Sequence, residues 1–252
     1  MHSTSIFTDK NTFISFVWQH VLLLVSLFIM TFGVVLCVRS NLGSSVISST
    51  PLVFTLAGCQ AFVPPLTLGE YTNILNVILV IGQIIVLGKQ FRPIQLLQVI
   101  VGLVFGFLID LNMALTDTMS CDTLPMQLIA QFAGCTIMAI GIAFEVRCGS
   151  VTMPGEGMPV AISRVSGMPF AKAKIMVDVT LVSLAVAGCF FFFGKWLWNV
   201  VGIGSLFAMV YVGFLVRVID KHIVWFDRVL LYSPGCRRCI YGLARYLHSR
   251  NE

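Results

Sequence analysis

Charged residues are scarce in this chain. Lys, Arg, Asp and Glu make up 11% of its 252 residues, whereas about a quarter of a soluble domain is charged. Hydrophobic residues account for 58%. This balance leaves too few charges to cover a water-exposed surface and excludes an ordinary soluble domain. The composition therefore predicts an integral membrane protein.

The N-terminus also lacks the build of a cleavable signal peptide. A signal peptide joins a basic region to an apolar core of about 7–15 residues and a small-residue cleavage site. Here "MHSTSIFTDKNTF" leads into an apolar run from Phe13 to Val38, which is far too long for that core. We expect the first helix to be retained.

Motifs of catalysis and of metal binding are missing. The sequence contains no nucleophile elbow, phosphate loop or HExxH pattern, so we expect no enzyme activity and no cofactor. "CRRC" at Cys236 and Cys239 has the spacing of a metal or redox pair, but no second Cys/His pair completes four ligands. We expect no metal site. Lipidation of these cysteines is the alternative.

The net charge of +5 comes largely from the last quarter of the chain. No module that interleaves aromatic and basic residues accompanies it, so nucleic acid is not an expected partner. Residues 221–252 mix arginines with aromatics and predict a basic, amphipathic tail at the lipid interface. The basic charge is an orientation signal.

Six apolar runs are long enough to cross a bilayer, which takes about 20 residues each. They cover residues 13–38, 72–88, 93–113, 124–147, 172–194 and 197–219. Two further stretches, 43–63 and 153–166, are interrupted by proline or glycine and predict broken or re-entrant segments. Ordinary loops outside the membrane are the alternative for this pair.

Basic residues predict the orientation. With six crossings both termini lie on one side, together with Lys10, Lys89, Arg92, Arg147 and the tail. The other side receives an acidic hairpin at residues 114–123. By the positive-inside rule, residues 1–12 and the tail are cytoplasmic and the hairpin is external.

The two membrane regions, residues 13–113 and 124–220, resemble each other. Gly33, Arg39 and Pro51 recur at a constant offset of 108 as Gly141, Arg147 and Pro159. Each half has three full crossings, so the second copy is inserted upside down. The sequence predicts an all-α membrane protein built as an inverted-topology repeat, a construction common in secondary transporters. Chance recurrence of small residues is the alternative.

A family resemblance covers most of residues 30–220. "GIAFEVRCGSVTMPGEGMPVAISRVSGMPFAKAKIMVDVTLV" and "VGIGSLFAMVYVGFLVRVI" resemble the second half of the bacterial YczE/YitT-like membrane proteins, and "GVVLCVRSNLGSSVISSTPLVF" is similar to the first half. The usual aromatic-acidic pair after the glycine is absent, and Ser45-Val46 and Glu156-Gly157 lie in its neighbourhood. The resemblance implies a multipass protein of the bacterial inner membrane and no particular chemistry.

Polar residues of the broken segments and helix ends are the candidate binding residues. The backbone of a broken segment must line a cavity or be buried in protein, and a helix beginning there favours an anionic group. Arg39 and Arg147 can bind a substrate carboxylate or snorkel to lipid phosphate. The full predicted substrate-binding set is Arg39, Asn41, Ser44, Ser45, Asn76, Glu145, Arg147, Glu156 and Asp178.

Asp178 is the leading ionisable candidate, because the segment around it is apolar. Asn76 is its repeat mate, and a plain hydrogen-bonded link between helices explains both residues equally well. Glu145 is a proton or cation site, the partner of an arginine, or an interfacial carboxylate. Gln83 and Gln131 are expected to connect helices.

These patterns predict a transporter that moves a small molecule or ion through the bilayer by alternating access. The rival is a scaffold or regulatory partner that transports nothing and binds another complex. Glycines at positions 102, 106, 202, 204 and 213 predict close helix contacts, and a homodimer through these faces is an alternative use.

Overall fold

The structure, a computed structural model, describes residues 3–59, 63–148, 152–223 and 226, which form helices joined by turns and short irregular segments. Within these residues eight α-helices follow one another: α1 Ser3–Arg39, α2 Val46–Gly58, α3 Leu68–Leu87, α4 Leu97–Leu115, α5 Leu124–Cys148, α6 Pro154–Ser166, α7 Phe170–Phe193 and α8 Ile203–His222. Two short 3₁₀ turns, Gly88–Gln90 and Pro93–Leu96, join α3 to α4.

Six helices are long and apolar enough to cross a membrane, as the sequence predicts: α1, α3, α4, α5, α7 and α8. The start of the last span is wrong by six residues. Gly194 ends α7 in a left-handed conformation (φ 65°), and α8 begins only at Ile203. The apolar residues between them form turns, in which Val200 is fully buried and its carbonyl is bonded inside the protein.

The two interrupted segments form short helices, α2 and α6, each of 13 residues. At about 1.5 Å per residue each is about 20 Å long, too short to cross about 30 Å of hydrocarbon. Pro51 lies inside α2 and Pro159 inside α6, at the offset of 108. The prediction of two further elements that do not span is consistent with these short helices, and their re-entry into the membrane stays a prediction.

Helices α1 and α5 form the closely packed centre. A Cβ atom added at Gly33 would lie 2.6 Å from the Gly134 carbonyl oxygen and 2.8 Å from Met138 Cα. A Cβ at Gly141 would lie 2.6 Å from Met30 Cα. The offset of 108 relates Gly33 to Gly141 and Met30 to Met138, so the two contacts are equivalent under exchange of the halves.

The other helix contacts also come in matched pairs. Helix α2 packs against α7 as α6 packs against α3, α4 packs against α1 as α8 packs against α5, and α2–α3 matches α6–α7. The α3–α4 contact has no comparable α7–α8 counterpart within the described residues. Each short helix therefore packs against a long helix from the opposite half.

Four of the five glycines that the sequence predicts at close helix contacts form such contacts with other parts of the same chain. A Cβ at Gly102 or Gly106 would meet Asn76 or Asn73, and one at Gly202 or Gly204 would meet Leu42. Gly213 has open space around it in the described structure. The predicted tail, with Cys236 and Cys239, lies outside the described residues apart from its first residues and Phe226.

Candidate functional site

Arg39 ends α1 and holds the end of α4. Its Nη2 donates to the Met113 carbonyl oxygen at 2.9 Å and lies 3.4 Å from Asp117 Oδ1. Asp117 is largely exposed, so the hydrogen bond to the Met113 carbonyl oxygen is the main contact that holds Arg39 in place. The guanidinium neutralises the negative end of the α4 dipole. The structure therefore gives Arg39 a partner within its own half.

Arg147 ends α5 and holds the end of α8 in the same way. Its Nε donates to Asp220 Oδ1 at 2.9 Å, its Nη1 donates to the Ile223 carbonyl oxygen at 3.0 Å, and its Nη2 also bonds the Asp220 carbonyl. Both arginines thus fasten the last helix of their half.

The approach to α2 is a buried cluster of hydroxyl groups. The Ser44 backbone N–H and Oγ both donate to the Val200 carbonyl oxygen, at 3.0 and 2.9 Å. Ser45 Oγ and Ser48 Oγ are 2.6 Å apart. Asn41 stands apart from them, exposed and with a positive φ of 57°. The predicted serines are brought together and find partners within the protein.

Gln131 extends this cluster to α5 and α8. It accepts a hydrogen bond from Ser40 Oγ at 2.6 Å and donates to the Gly204 carbonyl oxygen at 2.9 Å. This agrees with the expectation that Gln131 connects helices. Ser40 and the Val200 carbonyl oxygen were not among the predicted binding groups. The apolar sequence before α8 gives no sign that the Val200 carbonyl faces the interior.

The approach to α6 contains a buried carboxylate. Glu145 is 3% exposed, and its Oε1 accepts a hydrogen bond from the Met153 backbone N–H at 2.9 Å. Met153 is the residue before α6, so Glu145 caps that helix from α5. Its second oxygen, Oε2, has no hydrogen-bond partner within the described residues.

Lys174 joins the two other acidic candidates. Its Nζ lies 3.0 Å from Glu156 Oε1 on α6 and 3.1 Å from Asp178 Oδ1 one turn along α7. Glu145 also interacts electrostatically with Glu156 and Lys174. The structure therefore groups Glu145, Glu156 and Asp178. The i, i+4 spacing of Lys174 and Asp178 is the signal that could have added Lys174 to the candidates.

Three buried amide side chains, Asn76, Gln83 and Gln98, lie on α3 and α4, and the last two contact the first turn of α6. Gln83 Nε2 donates to the Pro154 carbonyl oxygen at 3.3 Å, and Asn76 Nδ2 lies 3.4 Å from the Gly102 carbonyl oxygen. Gln98, from α4, is 1% exposed. The amide oxygens of Asn76, Gln83 and Gln98 have no donor in the part of the chain that the structure describes.

The first turns of α2 and α6 touch. A Cβ added at Gly155 would collide with Ile47 Cδ1. The serine cluster and the acidic cluster, which the sequence places more than a hundred residues apart, therefore flank a single contact between two short helices.

The charges of the acidic cluster belong to one half only. At the offset of 108, Glu145 corresponds to Cys37 and Glu156 to Ser48. Lys174 and Asp178 are the fifth and ninth residues of α7, and Thr72 and Asn76 hold those places in α3. All four first-half counterparts are neutral. Among the described residues, no group of three His, Cys, Asp or Glu side chains is placed to hold a metal ion.

Residues 17–221 match the model of a family of unknown function, DUF6198. Because the match covers most of the chain, the protein belongs to this family. No curated protein and no solved structure matches the chain.

Proposed function

We propose that this member of the DUF6198 family carries a small solute or ion across the bilayer by alternating access between two inverted halves. The observation that carries the proposal is the contact between the first turns of α2 and α6, at Ile47 and Gly155. Two helices too short to cross the membrane meet there, and each has polar groups at its start.

The packing pattern supports an inverted repeat. Each short helix packs against a long helix of the other half, α2 against α7 and α6 against α3. In an inverted repeat the two short helices enter from opposite faces and meet near the midplane. A rocking motion of one half against the other would then change both short-helix contacts together and expose the meeting point to each side in turn.

The asymmetry of charge supports a division of tasks. The α6 side holds Glu145, Glu156, Lys174 and Asp178, whereas the α2 side holds hydroxyl groups. Ionisable residues inside a membrane protein are costly and mark ion or substrate paths. We assign Glu145, Glu156, Lys174 and Asp178 to the path of the substrate. Arg39 and Arg147 belong to the frame, by which we mean the helices held together around that path.

The family resemblance to YczE/YitT-like proteins supports a location in the bacterial inner membrane. The basic residues near α1, α3, α5 and α7 support cytoplasmic termini and an external acidic hairpin. A reporter that works only in the cytoplasm should be active when it is fused after residue 252. A reporter that works only outside the cytoplasm should be active when it is inserted at Thr118.

Transport is tested in proteoliposomes with panels of labelled metabolites and ions. We expect uptake of at least one compound, its loss in Asp178→Asn, and no effect of Asp122→Asn, which removes an exposed carboxylate of the hairpin. Absence of flux for every compound, with Asp178→Asn behaving as wild type in cells, would contradict transport.

Alternating access is tested without knowing the substrate. A cysteine replaces Ser48, in a variant whose eight native cysteines are changed to serine or alanine. A membrane-impermeant thiol reagent should label this cysteine from either side of oriented vesicles, at different rates. Labelling from one side only, under all conditions, would argue for a static protein.

The rival function is a non-transporting membrane partner. The observation that favours it is the full internal bonding of Ser44, Ser45 and Ser48, which leaves these hydroxyls with no need of a ligand. Such a protein would co-purify stoichiometrically with a second membrane protein from its native cells and would give no flux on its own.

A further inference from the structure

We propose that the start of α6, with Glu145, Gln83 and Gln98 around it, is a binding site for a small monovalent cation. The inference deepens the transport proposal and rests on it only for the movement of the bound ion. Binding itself can be measured with no transport at all.

The first argument is the chemistry of the unsatisfied atoms. Glu145 Oε2, Gln83 Oε1 and Gln98 Oε1 are hydrogen-bond acceptors, and none has a donor within the described residues. All three side chains are at most 3% exposed. A buried acceptor without a donor is destabilising, so three of them around one helix turn favour a ligand that supplies positive charge.

The second argument excludes an anion. A helix N-terminus ordinarily attracts negative charge. Here the Glu145 carboxylate already takes that place, because its Oε1 accepts the Met153 N–H. A second anion would lie beside Glu145 and Glu156 and would be repelled by both.

The third argument is the charge balance. Glu145, Glu156 and Asp178 are three carboxyl groups, and Lys174 contacts two of them, Glu156 and Asp178. The group therefore carries an excess of negative charge when its acids are ionised. Buried carboxylates require a counter-charge. A cation beside Glu145 supplies it without disturbing Lys174.

Gly157 allows the two glutamines to approach the helix. A Cβ at this residue would lie 2.7 Å from Gln83 Oε1 and 2.7 Å from Gln98 Oε1, so those oxygens are at most twice that distance apart. Two amide oxygens and one carboxylate suit an alkali ion or a small ammonium ion. They are too few anionic groups for a divalent metal with an all-protein shell.

Binding is tested on the purified full chain in detergent, by isothermal titration calorimetry and by thermal unfolding. The probes are the chlorides of lithium, sodium, potassium, ammonium and methylammonium, with N-methylglucamine chloride keeping the ionic strength constant. We expect saturable binding and stabilisation by at least one cation. The chlorides that bind and stabilise the protein show whether the ligand is an alkali ion or an ammonium compound.

Two variants and one control locate the site. Glu145→Gln should weaken cation binding on the order of a hundredfold, because it removes the charged partner of a buried ion. Gln98→Ala should weaken it by roughly tenfold through the loss of one oxygen ligand. The matched control, Asp122→Asn, should bind as wild type.

Several results would overturn the inference. These are no saturable response of the wild-type protein to any probe, or an equal response in wild type and both variants. A third is a melting temperature that changes with pH in a way that requires Glu145 but does not change with any of the salts. The proton would then be the only occupant of the site. The titratable groups that interact with Glu145 are Glu156, Lys174 and Cys148, and Asp178 is paired with Lys174. The wild-type titration decides the question even if a variant fails to fold.

Failure of this inference and failure of the transport proposal are distinguishable. Flux without cation binding would leave the transporter and remove the ion site. Cation binding without flux of any compound would leave the ion site in a non-transporting protein.

Discussion

The Arg147 guanidinium binds the Asp220 carboxylate, with Nε 2.9 Å from Oδ1, and so fastens the end of α5 to the end of α8. Arg39 holds the end of α4 from the equivalent place on α1. An arginine at the end of an apolar helix is therefore part of the frame in both halves, where sequence alone allowed a substrate contact.

Removing these arginines should loosen the frame. We expect Arg147→Ala to lower the free energy of unfolding by about 1–3 kcal/mol, because it leaves Asp220 and two carbonyl groups without their donor. Arg39→Ala should cost less, since Asp117 is exposed. Denaturation in detergent micelles measures both, with the exposed Arg92→Ala as control. An unchanged Arg147→Ala protein would refute this role.

The glycines of the α1–α5 contact should be intolerant of a methyl group. Gly33→Ala and Gly141→Ala should each destabilise by about 1–3 kcal/mol, because the new Cβ meets backbone atoms that cannot move aside independently. Gly213→Ala should be neutral or stabilising by up to about 1 kcal/mol, since its surroundings are open and alanine favours a helix. The same unfolding assay compares them. Equal effects at all three positions would contradict the packing.

The Lys174 contacts should show charge compensation. Lys174→Met leaves Glu156 and Asp178 without their cation and should destabilise by about 2–3 kcal/mol at neutral pH. Changing all three at once, with Glu156→Gln and Asp178→Asn, should recover most of that loss. Unfolding of the single and triple variants is the measurement. A triple variant as unstable as the single one would mean that packing of the lysine stem dominates.

A cross-link should report the meeting of α2 and α6. In a cysteine-free background, Ile47→Cys combined with Gly155→Cys should join rapidly on oxidation, because these side-chain positions are in contact. The pair Ile47→Cys and Gly167→Cys, which moves the second cysteine to the far end of α6, should not react. A change in electrophoretic mobility detects the bond. Under the transport proposal, the cross-linked protein should also lose flux.

The helices were predictable because a bilayer-length apolar run is itself the signal for a span. The six spans and two short segments follow from that signal and from Pro51 and Pro159. The start of α8 was not predictable, because residues 197–202 are largely apolar and their turn depends on hydrogen bonds such as those that Ser44 and Ser205 donate to the Val200 carbonyl.

The candidate site was predictable in its residue types and less so in its partners. Glu145 and Asp178 stand out in sequence because charge is rare within apolar segments. Their environment depends on contacts between helices, such as Lys174 with Glu156 or Gln98 near Gly157, and no local pattern encodes those. Arg39 and Arg147 illustrate the same limit, since a helix-end arginine has the same sequence signature whether it binds lipid, ligand or a carbonyl group.

The packing of α2 against α7 has a consequence for synthesis of the chain. Helix α2 ends at Gly58 and α7 begins at Phe170, so more than a hundred residues are added between them. At about 5–20 residues per second, the nascent protein spends roughly 5–20 s with α2 made and its packing surface absent. We therefore expect the first half to complete its packing only after α7 is made. During that interval we expect α2 to depend on lipid or on the insertion machinery, because the Leu181 carbonyl that accepts from Thr50 has not been made, and a chain stopped before α7 should be a ready target for membrane proteolysis.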